Sequence, residues 1–350
     1  MTPGDYTVQT KTSDASGLAK LLAARLIITQ TAPTMLTKTS TQAEVGGSGG
    51  VTGTSYANTD SSIYCFDTTS TATTCSAANP SRFSPAPTVE FQATLKAGTS
   101  GTTYAQLYDV TSAAAVSGSE VSTTNSTSYT LQKSGSITLT AGHEYRVQVK
   151  RDTANGNIAN AKIVLDQSDA TNGISAFETV QVYNHKVQAP TVPITYFTLN
   201  YDNSFAPANF TGNKSFYFES TMLISATGTA TTQLYNKTNS DPIDTPTTSE
   251  ITTTSTSYSR VRSANLANNT DWPTDASDLT VRQKCGTNCT VIGSFKNNNR
   301  SWLVIQIQSL PVPELAIFAL PAVAFLPKIV SWFTRRRKLA PVESSFVGEI

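Results

Sequence analysis

Apolar and polar residues alternate in short runs along most of this chain. Val147 and Val149 are two residues apart, as are Ile163 and Leu165, a spacing that puts both members of each pair on one face of a strand. Comparable runs cover Val89 to Lys96, Thr103 to Tyr108, Ser128 to Lys133, Ile137 to Leu139, Tyr145 to Lys150 and Lys162 to Leu165. Gly, Asn and Ser turns separate them, and no helical period runs through them. The pattern predicts an all-β chain of short strands packed as a sandwich.

The runs recur in order. Ala105-Gln106-Leu107-Tyr108, then Ser119-Glu120-Val121-Ser122-Thr123-Thr124 and Thr127-Ser128-Tyr129, match a second set further on. That set is Thr232-Gln233-Leu234-Tyr235, Ser249-Glu250-Ile251-Thr252-Thr253-Thr254 and Thr256-Ser257-Tyr258. Tyr145 to Lys150 answers to Leu279 to Lys284, and Tyr6 to Lys11 reads as a third copy of that strand. The period is about 140 residues, the size of a whole domain and too long for a solenoid. Two modules are expected, 31–168 and 169–309, preceded at 1–30 by the closing strands of a truncated upstream module. At this length tandem jelly-roll-like sandwiches of eight or so strands fit better than seven-stranded immunoglobulin domains.

Composition agrees. Only 14% of residues are charged, and Thr, Ser, Asn and Ala dominate. Residues 310–350 hold five of the basic and three of the acidic residues, leaving 20 against 21 in the rest. So even a balance gives no electrostatic footprint for nucleic acid. Four cysteines fall in two close pairs, Cys65 with Cys75 and Cys285 with Cys289, and read as two disulfides of an extracellular chain. A metal site is not expected, because neither His143 nor His185 is near a cysteine in sequence.

No catalytic set or cofactor motif stands out, and the chain does not read as an enzyme. There is no His-Glu-x-x-His pair and no calcium loop. Glu120 and Glu250 occupy equivalent places, but one carboxylate per module in a Thr-rich strand reads as a solvent-facing residue. His143, in a turn before a strand, reads as solvated. The candidates for contact with a ligand are the recurring Gln106, Tyr108 and Tyr129, with Gln233, Tyr235 and Tyr258, because sugar-binding sandwiches use aromatic rings as platforms beside amides. Packing within an ordinary half-buried sheet is the competing reading of the same residues.

From Pro311 the pattern changes. Leu315 to Phe333 is a mostly apolar run, close to the roughly 20 residues a helix needs to cross a bilayer. Arg335, Arg336, Arg337 and Lys338 follow, and basic residues beside a spanning helix stay on the cytoplasmic side. One C-terminal transmembrane helix is expected within 310–338, with a stop-transfer cluster and a cytoplasmic tail at 339–350. Everything before Pro311 is then expected outside the cell. Met1 to Asp5 has neither a basic start nor an apolar run. The expectation is therefore a piece of a longer reading frame.

Val312, Pro313, Glu314 and Leu315, with the apolar run and the basic cluster behind them, resemble the PEP-CTERM and PEF-CTERM sorting signals of prokaryotic surface proteins. Leu315 stands where that family has proline or phenylalanine. The resemblance implies a sorting transpeptidase of the exosortase or archaeosortase type as a partner, together with the membrane. The expected function is a structural or adhesive prokaryotic cell-surface protein, anchored or sorted through its C-terminus, with a glycan or other surface ligand as a candidate partner. The competing expectation is a carbohydrate-binding accessory region of a larger surface glycoside hydrolase whose catalytic domain lies upstream.

Overall fold

The computed structural model describes residues 36–308, apart from 47–48, 60–62, 67–74, 76–81, 186–195, 207–209, 211–212, 225–227 and 286–298. The expected closing strands at 1–30, the Val312–Leu315 motif, the apolar run, the Arg335–Lys338 cluster and Cys289 lie outside the described residues. Among the described residues no helix is long and apolar enough to cross a membrane. What is described is all strand and turn.

The first sandwich has one sheet of β1 (Lys38–Gly46), β2 (Gly49–Val51), β5 (Thr88–Lys96), β9 (Thr130–Ile137) and β11 (Gly156–Ser168). Its second sheet holds β3 (Ala57–Asn58), β4 (Tyr64–Phe66), β6 (Thr103–Asp109), β7 (Ala114–Ala115), β8 (Val121–Thr123) and β10 (His143–Arg151). The order is β1-β11-β5-β9 in one and β3-β10-β6-β7 in the other, with β4 also on β10 and β8 also on β6. Pairing is antiparallel throughout, in the order of two interleaved Greek keys.

The second sandwich repeats this order. One sheet runs β12 (Ala176–His185), β20 (Asn299–Gln308), β14 (Asn213–Met222) and β18 (Ser259–Arg262). The other runs β13 (Phe197–Phe205), β19 (Ser277–Cys285), β15 (Ala230–Asn236) and β16 (Asp241–Pro242), with β17 (Ile251–Thr253) also on β15. Both sandwiches belong to one compact unit.

Period-two patterning selects what faces each core. In β10, Tyr145, Val147 and Val149 are buried while Glu144, Arg146, Gln148 and Lys150 point away. Phe91, Leu95, Leu107, Ile163 and Leu165 complete the centre of the first core, and Phe205, Phe218, Leu234, Leu279, Leu303 and Ile305 the second. One boundary differs from expectation. Ile137 ends β9, and Leu139 is buried in the connection beyond it, so no separate strand covers 137–139.

The two sandwiches share details below the level of strand order. Beside β6 the chain pairs at β7, bulges outward, and pairs again at β8. The bulge would orphan the Leu107 backbone, but Ser119 Oγ accepts from Leu107 N at 3.0 Å. Ser249 Oγ does the same for Leu234 N at 3.1 Å. Ser134 and Ser263 likewise accept from Phe91 N and Phe218 N, each at 2.9 Å. The turns that open the bulges carry left-handed residues at matching places, Ala113 (φ 53°) and Ser240 (φ 56°). The side-chain oxygens of Asp109 and Asn236 brace those turns by accepting from Ser112 N and Asn239 N.

Candidate functional site

The first unusual feature is the seam where the sandwiches meet. In the β12-β20-β14-β18 sheet, Phe216, Phe218, Leu303 and Ile305 face the second core. The alternate residues turn the other way, toward the first sandwich. Among these, Tyr217, Trp302 and Val304 join the apolar cluster of the first core, with Val180 packed against it. Tyr64 of β4 meets Trp302 edge to face, ring centres 6.4 Å apart. Ile63 N donates to Thr221 Oγ1 at 3.0 Å, and Thr41 Oγ1 donates to the Glu178 carbonyl. Ser84 bridges to Ala176, its N–H donating to the Ala176 carbonyl at 2.8 Å.

Charge is buried in this seam. Arg82, Glu178, Glu219, Arg260 and Arg262 all lie below 5% exposure. Arg260 meets Glu219 at two points, Nε to Oε2 at 3.1 Å and Nη2 to Oε1 at 3.0 Å. Arg262 Nε lies 3.2 Å from the same carboxylate, and its guanidinium stacks 3.8 Å over the Tyr217 ring. Arg82, from the first sandwich, pairs with Glu178 of the second. Gln306 sits between the arginines; with its amide turned so that the oxygen faces them, it accepts from Arg82 Nε at 3.0 Å and from Arg262 Nη2 at 3.3 Å. Glu144 of β10 reaches Arg260 at 3.8 Å from the rim.

These contacts set the titration of the seam. Burial alone would push the Glu219 carboxyl up, but Arg260 and Arg262 outweigh it and hold it at about 2. Glu178 goes the other way, because burial exceeds the pull of Arg82 and Arg262. Burial also raises Glu144 against Arg260. Ion pairs sealed from water need every partner, since a lone buried charge is far costlier than a solvated one.

The second feature is the outward face of the β3-β10-β6 sheet and its counterpart on β19 and β15. Gln106 and Tyr108 lie on that face, as do Gln233 and Tyr235 in the second sandwich. Tyr129 and Tyr258 do not join them. Tyr129 is 49% exposed in the connection entering β9, and Tyr258 stands at the same place before β18, at the entries of strands from the other sheets. Of the recurring positions, each strand-borne pair lies on the equivalent outward face of its own sandwich and the loop tyrosines stand apart.

The face holds groups that the repeat did not single out. Lys150 Nζ lies 4.3 Å from the Tyr56 ring centre, 4.7 Å from that of Tyr104 and 3.6 Å from Glu120, which also accepts from the Tyr56 hydroxyl at 2.5 Å. The second sandwich repeats the arrangement. Lys284 lies 4.3 Å over Tyr196 and 3.1 Å from Glu250, and Glu250 accepts from the Tyr196 hydroxyl. Glu120 and Glu250 are therefore partnered, not merely solvent-facing. The sequence signal was there, since Lys150 and Lys284 are repeat-equivalent. Tyr56 and Tyr196 were hidden because the strands they lead into differ, two residues in β3 against nine in β13.

Cys65 and Cys75 form a disulfide. Cys285, buried at the end of β19, is disulfide-bonded as well. His143 is half-buried and its Nδ1 lies 2.7 Å from Asp109 Oδ2, so it is tied to β6 and not freely solvated as expected. Cys75 Sγ lies 3.3 Å from the His143 carbonyl, but that sulfur is committed to the Cys65–Cys75 disulfide. Nor do the described residues include a group of three or more His, Cys, Asp or Glu able to hold a metal.

No family model matches the chain, and no curated protein does either. Among solved structures it is similar to the VP2 subviral particle of infectious bursal disease virus, at 10% identity over 78% of this chain and 72% of that one, TM-score 0.22. It is also similar to the N-terminal CBM22-1–CBM22-2 tandem domain of Xyn10C from Paenibacillus barcinonensis, at 10% identity over 64% and 78%, TM-score 0.17. At such scores neither likeness carries an argument about this chain.

Proposed function

We propose that this chain is a rigid pair of jelly-roll modules that serves as a structural or adhesive spacer on a prokaryotic cell surface, acting through its shape and surface and not by catalysis. The seam is the observation that carries this reading. Sandwiches joined in one chain ordinarily move relative to one another unless a large apolar interface holds them. Here an apolar patch around Trp302 and Tyr217 is combined with an ion network that tolerates no loosening. A stiff rod is what a surface spacer requires.

In this reading residues 310–338 anchor or sort the chain, with Pro313 and Glu314 read by a membrane transpeptidase and Arg335–Lys338 halting translocation. Three experiments test it in the native host. Protease added to intact cells should degrade the 36–308 region, and fractionation should place the chain in the envelope; recovery in the cytosol would end the proposal. Replacing Pro313 and Glu314 with alanine should leave a larger, membrane-retained species. A mature chain still ending at Ile350 would reduce the tail to a plain anchor.

A further inference from the structure

The spacer role gives no task to the outward face of β3, β10 and β6. On it three amides stand in register across three strands, Gln106 opposite Gln148 and Gln148 opposite Asn58. Gln106 Nε2 donates to Gln148 Oε1 at 2.9 Å, and Gln148 Nε2 donates to Asn58 Oδ1 at 3.1 Å. Each amide therefore keeps part of its capacity. Gln148 retains one N–H and one lone pair, and Asn58, which is exposed, retains both N–H groups. A row offering donors and acceptors at alternating points suits neighbouring hydroxyls, each of which both gives and takes a hydrogen bond.

Tyr108 flanks this row, two residues along β6 from Gln106, and is half-buried. Among the described residues no cation covers its ring. An aromatic ring beside hydrogen-bonding amides presents an apolar platform and a polar edge together. On the strip Lys150 is balanced by Glu120, and Arg146, opposite Tyr108 in the register, is offset in part by Glu144 two residues along, which Arg260 also shares. An extended peptide would need a free sheet edge to pair with; β6 and β10 are bonded on both sides here, and the edge strand beside them, β3, is only two residues long.

The second sandwich shows the same face closed. Arg282 stands where Gln148 does in the first. Its Nε and Nη2 donate to Gln233 Oε1 at 2.9 and 2.7 Å, and its guanidinium lies 4.7 Å over the Tyr235 ring and 4.3 Å over that of Tyr196. Gln233 is only 2% exposed. One side chain thus occupies both the amide and the ring; in the first sandwich Gln106 is also buried, at 8% exposure, but Gln148 and Asn58 keep free donors and the Tyr108 ring carries no such cover.

We propose that the amide row of the first sandwich binds a neutral linear glycan, with Tyr108 as the stacking platform and Gln148 and Asn58 as the hydrogen-bonding groups, and that Arg282 shuts the equivalent face of the second. This holds whether or not the chain is a surface spacer. The test is calorimetric titration of the full chain with cellohexaose, xylohexaose, mannohexaose and chitohexaose. At least one should bind at a single site per chain. Tyr108→Ala should weaken that binding roughly tenfold or more, a loss of about 1.4 kcal/mol. Gln148→Arg, which installs a side chain the second sandwich already folds around, should abolish binding without moving the unfolding midpoint. Arg282→Gln should raise the stoichiometry to two. Silence with all four hexasaccharides, or undiminished binding in both Tyr108→Ala and Gln148→Arg, would overturn the site. A stoichiometry still at one in Arg282→Gln would overturn the role given to Arg282.

Discussion

The Glu219 carboxylate and the Arg260 guanidinium form a two-point pair, 3.1 and 3.0 Å between heavy atoms, inside the seam between the sandwiches. Arg262 shares the same carboxylate. Glu219→Ala would strip two buried guanidinium groups of their shared carboxylate, leaving Arg260 only the longer 3.8 Å contact with Glu144. The expected cost is about 3–5 kcal/mol, read from urea unfolding of the full chain. A loss below about 1 kcal/mol, the range of exposed pairs, would contradict the burial.

Acid should act on the same group. The folded carboxyl of Glu219 sits at about 2 against an ordinary 4.5, so its stabilisation is complete above pH 4.5 and is lost as pH falls toward 2. Asp109 and Glu250, also held low, add to that loss. Glu178 and Glu144 run the other way: their raised values mean that the folded state takes up protons first, which relieves a cost present at neutral pH. Thermal midpoints should therefore hold or rise from pH 7 to about 5, then fall below pH 4.5. A steady decline beginning at pH 7 would show that the seam is solvated.

Ser119 and Ser249 complete the backbone at the bulges beside β6 and β15. Alanine at either position leaves a buried N–H without an acceptor, at a cost of about 1–3 kcal/mol. Because the serines lie in separate sandwiches, the two losses should add in the double variant. Hydrogen exchange at the Leu107 and Leu234 amides should speed up in the matching variant only.

The Cys65–Cys75 disulfide closes a loop of 10 residues. Its removal should cost about 2–3 kcal/mol if chain entropy dominates. A non-reduced digest of the native protein should contain the linked peptide. Full labelling of both cysteines by an alkylating agent without reductant would contradict placement outside the cell.

Strand identity was legible because the alternation is clean. The run Tyr145 to Lys150 lies inside the strand His143–Arg151, and Val89 to Lys96 inside Thr88–Lys96. Repetition marked Gln106, Tyr108, Gln233 and Tyr235 as one class of position, and each pair lies on the outward face of its own sheet. The seam was not legible. Period-two spacing shows that Glu178, Glu219, Arg260 and Arg262 leave their own core, which in an isolated sandwich means solvent. It carries no information about a second sandwich lying over that face. Arg82 was harder still, because it precedes β5 in an irregular segment with no pattern to follow. The difference between Gln148 and Arg282, one residue at equivalent places, gained meaning only from what each side chain covers.

The rigidity of the pair can be measured directly as a distance between spin labels on the full chain. Ser122→Cys in the first sandwich and Thr252→Cys in the second are both exposed strand positions away from the seam. Double electron–electron resonance should give one narrow peak, broadened when Glu219→Ala is added. A broad distribution with Glu219 intact would mean that the sandwiches move independently, and would contradict a rigid spacer.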